Sequence, residues 1–209
     1  MMMKMDKEKF RNLAKKRLKS GLKTTAKCKH YAILQILEKL INLSNSKNIL
    51  IYMPLSYEIN VYKLYEKFSK KINFFIPRMT SVSFSAVKLR RPFVVSKFGV
   101  KETLNQNGFT RKIDMAIVPV IGVDGRFARI GHGKGFYDRF FSNLNRKPII
   151  VFVSIKNNFT NLIISQKHDI IGDFYITPTK KYFLRGKHDR CFNSIVRGSG
   201  WSCHRVSCG

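Results

Sequence analysis

Apolar and polar residues repeat along the chain with two different periods, one typical of helices and the other of strands. Residues 4–19 and 24–43 carry apolar side chains at intervals of three and four, which predicts two amphipathic helices separated near Gly21. Residues 60–70 show the same spacing over a shorter length and predict a third helix. The amino-terminal part of the chain is therefore expected to be largely helical.

Short β-branched and aromatic runs predict the strands. Residues 48–53 and 72–76 are such runs, and each is followed by a proline, Pro54 or Pro77, that we expect to end it. Residues 113–120 are apolar at nearly every position, which is typical of a strand buried on both faces. Further strands are predicted at residues 81–88, where apolar and polar positions alternate, and at 148–154 and 174–177.

The alternation of helices with buried strands predicts an α/β fold in which helices flank a mostly parallel central sheet. The chain has 209 residues, of which 44% are hydrophobic, so it is large enough for one well-packed core. No internal repeat or linker divides it. We expect a single domain over residues 1–183.

Residues 184–209 differ in composition from the rest, because they lose periodicity and become rich in Arg, Gly, Ser and Cys. We expect a disordered extension here. Zinc binding is the alternative, although the spacing of the candidate ligands matches no standard zinc motif. These candidates are His188, Cys191, Cys203, His204 and Cys208.

The chain is strongly basic, with 40 Lys and Arg against 12 Asp and Glu and a formal net charge of +28. The cations are scattered along nearly every segment, which is typical of a solvated basic surface that attracts anionic small molecules. An RNA-associated protein is the alternative, but it depends on charge alone, since no KH-type loop or aromatic ribonucleoprotein motif is present. We therefore expect small-molecule substrates and no nucleic-acid partner.

Neither a membrane segment nor a disulfide framework is visible in the sequence. No run of about eighteen apolar residues occurs, and the first residues lead into a polar helix rather than an apolar signal region. Cys28 is the one cysteine of residues 1–183. We expect a cytoplasmic protein with reduced thiols and no membrane partner.

The strand at 113–120 leads into a glycine-rich segment that is suited to binding an anion. Gly131, Gly133 and Gly135 alternate with His132 and Lys134, so the backbone can approach a ligand closely and direct N–H groups toward it. Arg129 adds a second cation. A P-loop is excluded because its lysine is followed by Ser or Thr, and the dinucleotide fingerprint fails on its glycine spacing.

A helix is predicted directly after this loop, and Asp138 lies in its first turn. A carboxylate beside bound phosphate is the kind of oxygen ligand that magnesium uses. A carboxylate in the first turn of a helix also stabilises the helix dipole. The residue alone does not separate these two roles.

At residues 125–140 the segment GRFARIGHGKGFYDRF resembles the signature of the 5-formyltetrahydrofolate cyclo-ligase family. Weaker matches follow the family's order along residues 4–180. They are KEKFR at 7–11, YMPLSYEIN at 52–60, FFIPR at 74–78, FGVKE at 98–102 and HDIIGDFYIT at 168–177.

This resemblance implies a NagB/RpiA/CoA-transferase-like three-layer sandwich, expected to be monomeric, that uses ATP and Mg²⁺ to convert 5-formyltetrahydrofolate to 5,10-methenyltetrahydrofolate. It implies catalytic roles for Lys134 and Arg129, and metal binding by Asp138 and Asp169. The implied folate-binding residues are Met53, Glu58, His132 and Phe136. The implied ATP-binding residues are Lys7, Arg11, Arg129, Gly131, His132, Gly133, Lys134, Gly135, Phe136 and Tyr137.

Several of these roles have structural alternatives. Lys7 and Arg11 are also typical of a solvated helix face, Glu58 of a helix cap, and Asp169 of an ordinary loop. Two residues depart from the family pattern. Phe136 stands where Tyr is usual, and His132 stands where Tyr or Arg is usual. A related ligase that acts on another amide is a further alternative, because a phosphate site does not define the second substrate.

Overall fold

A sheet of eight strands forms the centre of the fold and carries helices on both of its faces. The structure is a computed structural model, and it describes residues 5–20, 26–90, 93–95, 101–103, 112–184 and 202–206. The helices are α1 (Lys7–Ser20), α2 (Ala26–Ser44), α3 (Tyr62–Phe68) and α4 (Phe136–Ser142). The strands are β1 (Asn48–Leu50), β2 (Asn73–Met79), β3 (Phe84–Lys88), β4 (Phe93–Val95), β5 (Lys101–Thr103), β6 (Met115–Pro119), β7 (Gly122–Val123), β8 (Arg129–Ile130), β9 (Ile149–Val153), β10 (Phe174–Ile176), β11 (Lys180–Leu184) and β12 (Ser202–Val206).

The sheet has the strand order β12-β11-β10-β9-β6-β1-β2-β3. The five strands from β10 to β2 run parallel to one another, while β3 and β11 are antiparallel to their inner neighbours. Two small antiparallel ribbons, β4–β5 and β7–β8, lie outside the sheet. The predicted fold class, an α/β sandwich with a mostly parallel sheet, is confirmed.

Side chains from alternate strand positions enter two separate cores. Ile49 and Ile51 face the core covered by α1, α2 and α3, whereas Leu50 faces the core covered by α4. This alternation follows from the two-residue period of a strand, and burial on both faces explains why the central strands are almost wholly apolar.

The amino-terminal helix α1 has a cap and a buried stripe that fix its position. The side chain of Asp6 accepts a hydrogen bond of 2.7 Å from the backbone N–H of Lys9, which caps the first turn. Phe10 packs so closely on Gly122 that a Cβ there would lie 2.6 Å from the ring. The apolar residues that α1 buries are Phe10, Ala14 and Leu18.

Strand β2 is longer than the sequence predicts, because it continues through Pro77 to Met79. The expectation that Pro77 ends the strand is wrong. β1 pairs with β2 only as far as Phe75. At Pro77, β2 pairs with β3 alone, so the missing N–H of the proline interrupts no pairing with β1. Proline is tolerated at such edge positions of a sheet.

The carboxyl-terminal segment adds an unpredicted edge strand. β11 includes Leu184, and β12 pairs with it in parallel over residues 202–206, so the expected disorder does not hold for those five residues. His204 stacks on Tyr182 with ring centres 5.2 Å apart, and Val206 packs against the second core. Of the candidate zinc ligands, His188, Cys191 and Cys208 lie outside the described residues.

The helix predictions agree with α1 to α4 within a few residues at each end. The ribbon β7–β8, which follows the buried strand β6, was not predicted from the sequence. Within the described part of the chain, no helix combines the length and the apolar character that a membrane crossing requires.

Candidate anion and substrate site

The candidate site lies where the parallel strands β1, β6 and β9 end. Met53 follows β1, Pro119 is the last residue of β6, and Ser154 follows β9. Ligands of open α/β sheets bind in the crevice outside the carboxyl ends of the strands. The glycine loop at residues 131–135 and the helix α1 border this crevice.

Arg129 is the most unusual group of the site, because its guanidinium is buried without an ion-pair partner among the described residues. The residue is only 8% exposed. Its Nε and Nη2 both donate to the carbonyl oxygen of Pro119, at 3.3 and 3.2 Å, and the guanidinium lies 4.6 Å from the ring centre of Tyr137. Nη1 has no acceptor there, so the site holds a buried cation with donors left for an anion.

Burial lowers the pKa of Arg129 from its ordinary value. The opposing effect comes first from Tyr137 and then from three carboxylates, Asp138, Glu58 and Asp169. The charges of both predicted metal ligands and of the predicted folate ligand Glu58 therefore act on Arg129.

A buried carboxylate, Asp124, fixes the ribbon that carries Arg129. Its Oδ1 accepts hydrogen bonds from the N–H groups of Arg126 and Ala128, and its Oδ2 accepts from Ile164 and Ser165, all between 2.9 and 3.1 Å. Asp124 is fully buried. It thus acts as a structural anchor; the sequence showed it only as part of an Asp-Gly turn.

The glycines of the loop allow one close approach and two unusual backbone conformations. A Cβ at position 131 would overlap Nη1 of Arg129, so Gly131 leaves room for the guanidinium. Gly133 has φ 107° and Gly135 has φ 64°, both in the region that favours glycine. Lys134 lies on the exposed side of this loop, with Nζ 5.9 Å from the ring centre of Phe136.

Two cations of α1 contact predicted site residues, Arg11 at the glycine loop and Lys7 at Asp169. Nε of Arg11 donates a 2.9 Å hydrogen bond to the carbonyl oxygen of Gly131, and its guanidinium lies beside Gly133. Nζ of Lys7 contacts Oδ1 of Asp169 at 2.6 Å, so two predicted site residues form an ion pair. Asp169 also accepts a 2.7 Å hydrogen bond from the N–H of Gln166.

The two predicted metal ligands are connected through the backbone. Oδ1 of Asp138 accepts a 3.1 Å hydrogen bond from the N–H of Ile170, the residue next to Asp169. Of the residues that the structure describes, no group of three or more His, Cys, Asp or Glu could hold a metal ion. Two neighbouring carboxylates nevertheless suit a magnesium ion that takes its other ligands from phosphate and water.

On the other side of Arg129, Glu58 lines a narrow cleft. Burial raises its pKa from 4.5 to about 7, against the opposing effects of a 3.0 Å hydrogen bond from the Leu55 N–H and of Arg129. Glu58 lies before α3 and does not cap it, since the residue at the cap position is Val61. The cleft has a volume of about 10 Å³, room for one water molecule.

His132, the exposed residue of the lining, marks the mouth of this cleft and contacts Tyr57 there. The Tyr57 hydroxyl lies 3.3 Å from Nε2 of His132. Burial lowers the pKa of His132 to about 4, and Lys15, Arg129, Arg11 and Lys134 add to this in that order. The imidazole is therefore neutral at pH 7. Sequence reasoning missed both Tyr57, which no pattern marks, and Lys15.

The sequence profile of the 5-formyltetrahydrofolate cyclo-ligase family matches residues 3–178. The chain belongs to this family. A probable 5-formyltetrahydrofolate cyclo-ligase of Schizosaccharomyces pombe is 29% identical over 109 residues, with 46% of this chain and 52% of that protein aligned. The chain therefore spans about half the length of this curated relative.

Two solved structures of 5,10-methenyltetrahydrofolate synthetases share the fold. The Aquifex aeolicus protein superposes with a TM-score of 0.67 at 21% identity, covering 88% of this chain and 95% of that one. The Mycoplasma pneumoniae protein gives a TM-score of 0.63 at 21% identity, covering 82% and 98%. The family assignment and the fold thus agree over most of the described chain.

Proposed function

We propose that this protein converts 5-formyltetrahydrofolate and ATP to 5,10-methenyltetrahydrofolate, ADP and phosphate. Family membership supports the substrate, and one observation supports the chemistry. This observation is Arg129, a buried guanidinium with unused donors beside a glycine loop and two carboxylates. Such a group stabilises negative charge that develops on a transferred phosphoryl group.

The reaction needs ATP because an amide oxygen is a poor leaving group. The formyl oxygen attacks the γ-phosphorus of ATP, an O–P bond forms, and ADP leaves. N10 of the folate then attacks the activated formyl carbon, the carbon–oxygen bond breaks, and phosphate leaves while N10 releases its proton. The cyclic amidinium that results is the methenyl product, and every atom of the phosphoryl group is recovered as inorganic phosphate.

The phosphates of ATP are proposed to lie over the glycine loop. Arg129 and Lys134 neutralise the transferred group from below and from the exposed side. Arg11 extends from α1 beside Gly133, and Lys7 lies one turn before Arg11 on the same helix. Peptide N–H groups of residues 131–135, Phe136 and Tyr137 complete the ATP site.

Magnesium is assigned to Asp138 and Asp169. Its chemistry would be to neutralise phosphate oxygens and so favour attack at phosphorus. Nζ of Lys7 forms an ion pair with this second carboxylate. Lys7 would therefore hold Asp169 beside the magnesium ion and the phosphates.

The folate ring is assigned to the cleft of Glu58. Its carboxylate accepts N–H donors of the pterin, and His132 lies at the mouth. Met53 and Phe136, the other predicted folate ligands, lie outside the lining of this cleft and would contact parts of the substrate beyond it. Because the cleft has room for only one water molecule, the contact between Tyr57 and His132 has to open before the ring enters. Phe136 lacks a hydroxyl group, which costs a possible hydrogen bond but keeps the stacking surface.

The test of this proposal is product formation measured by the near-ultraviolet absorbance of the methenyl group. We expect the absorbance to rise only when protein, ATP, magnesium and 5-formyltetrahydrofolate are all present. Lys134→Ala is expected to lower kcat/KM by about 100-fold, because one cation on the phosphates is lost. Lys112→Ala, a change at an exposed lysine outside the loop, is the matched control. Folded protein without any rise would refute the proposal.

A second expected result concerns Gly131→Ala. The added Cβ overlaps the guanidinium of Arg129, which has to leave its position below the loop, so we expect kcat/KM to fall by about 100-fold with the fold retained. The measurement is a double-mutant cycle with Arg129→Met. In the Arg129→Met background, Gly131→Ala should add little. An equal loss in both backgrounds would show that the glycine acts independently of Arg129.

A further inference from the structure

Helix α1 carries a third cation, Lys15, at the spacing that separates Lys7 from Arg11. Four residues make about one turn and rise by about 6 Å, so the three side chains follow one another along one face of the helix. The rotation of α1 is fixed by its buried stripe, which consists of Phe10, Ala14 and Leu18.

The first two cations show the direction in which α1 crosses the site. Lys7 contacts Asp169 and, one turn later, Arg11 contacts Gly131. Lys15 lies a further turn along, past the glycine loop. It is therefore the cation of this face that is farthest from the metal end of the site.

Beyond Lys15 the helix reaches the folate cleft. Leu18 lines this cleft together with Glu58 and His132. Lys15 is half-buried and lies one turn before Leu18 on α1, and its charge adds to the lowering of the pKa of His132 at the mouth. The ion pairs formed among the described residues do not include Lys15.

The proposed folate substrate carries its ionised carboxylates on the glutamyl tail, at the opposite end from the pterin ring. With the ring beside Glu58 inside the cleft, the tail leaves through the mouth. We infer that Lys15 binds a glutamyl carboxylate of the folate substrate and makes the enzyme prefer substrates with an ionised tail. This inference rests on the proposed function, which supplies the substrate and the orientation of its ring.

The experiment compares Lys15→Met with the wild-type protein on two substrates. For 5-formyltetrahydrofolate, we expect KM to rise about tenfold, with kcat and the KM for ATP changed by less than about twofold, because one charged hydrogen bond to the tail is lost. For the dimethyl ester, whose glutamyl carboxylates are blocked, wild type and Lys15→Met should have the same KM. Lys15→Arg should restore most of the preference for the ionised tail.

Lys16→Met is the matched control, since it removes the neighbouring charge from the exposed side of the same helix. Lys16→Met should leave kcat and the KM values for folate and ATP unchanged. A rise in the KM for ATP instead of folate would assign Lys15 to the phosphates and overturn the inference, as would an unchanged KM for folate. Absence of turnover by the wild-type protein would be a different failure, because it would remove the proposed function and the inference with it.

Discussion

Arg129→Met is expected to lower kcat/KM by about 1000-fold, the largest loss predicted for any single substitution in the site. Arg129 is only 8% exposed, so its charge would act on the proposed phosphoryl group with little screening by water. Methionine has a similar length and fills most of the same volume. The measurement is steady-state kinetics with saturating magnesium and ATP.

The stability of Arg129→Met separates this catalytic role from a structural one. The hydrogen bonds to Pro119 and the contact with Tyr137 are lost, but the cost of burying an unpaired cation is also removed. We therefore expect the free energy of unfolding to change by less than about 1 kcal/mol. Arg146→Met, a change at an exposed arginine at the other end of the sheet, should change neither kcat/KM nor the free energy of unfolding. An Arg129→Met protein that keeps more than a tenth of the activity would exclude contact with the phosphates.

Glu58→Gln is expected to stabilise the protein at pH 8 while lowering kcat/KM about 100-fold, because the carboxylate is costly to bury and is the proposed ligand of the folate ring. The folded protein holds the proton of Glu58 up to about pH 7, whereas the usual value is 4.5. The raised pKa therefore contributes stability that is fully present below pH 4.5 and is lost as the pH rises through 7. Glutamine keeps the shape of the side chain without the charge.

The measurement is urea unfolding of both proteins across this pH range. The two stabilities should agree at the acidic end and differ by about 3 kcal/mol at pH 8, with Glu58→Gln the more stable. In the wild type, kcat/KM should rise with pH through about 7 as the carboxylate forms. Glu66→Gln, a change at an exposed position of α3, is the control. A pH-independent difference between the two stabilities would mean that folding does not raise the pKa of Glu58.

The parts of the site that lie close together in the sequence were the most predictable from it. Arg129, the three glycines and Asp138 occupy one short segment, where residue type and spacing alone indicate an anion site. The ion pair between Lys7 and Asp169 joins residues 162 positions apart. No local pattern relates them, and only the resemblance to a family placed both in one site.

Other features could not be predicted because they depend on what the fold places around a residue. The raised pKa of Glu58 is due to burial, which follows from the packing of a loop rather than from the sequence of that loop. Pro77 stays within β2 because the neighbouring β1 has already ended. β12 forms because β11 offers a free edge and Tyr182 a surface for His204. Lys15 is different, because it repeats the four-residue spacing that separates Lys7 from Arg11, and this repeat is visible in the sequence.

Transfer of an oxygen atom tests the central claim most directly. The substrate would carry oxygen-18 in its formyl group, and the inorganic phosphate released with ATP and magnesium would be analysed by mass spectrometry. If the formyl oxygen attacks the γ-phosphorus, one oxygen-18 atom appears in phosphate for each methenyl product formed. Phosphate without the label, accompanied by labelled water, would contradict the account, because ring closure would then proceed without phosphorylation of the formyl oxygen.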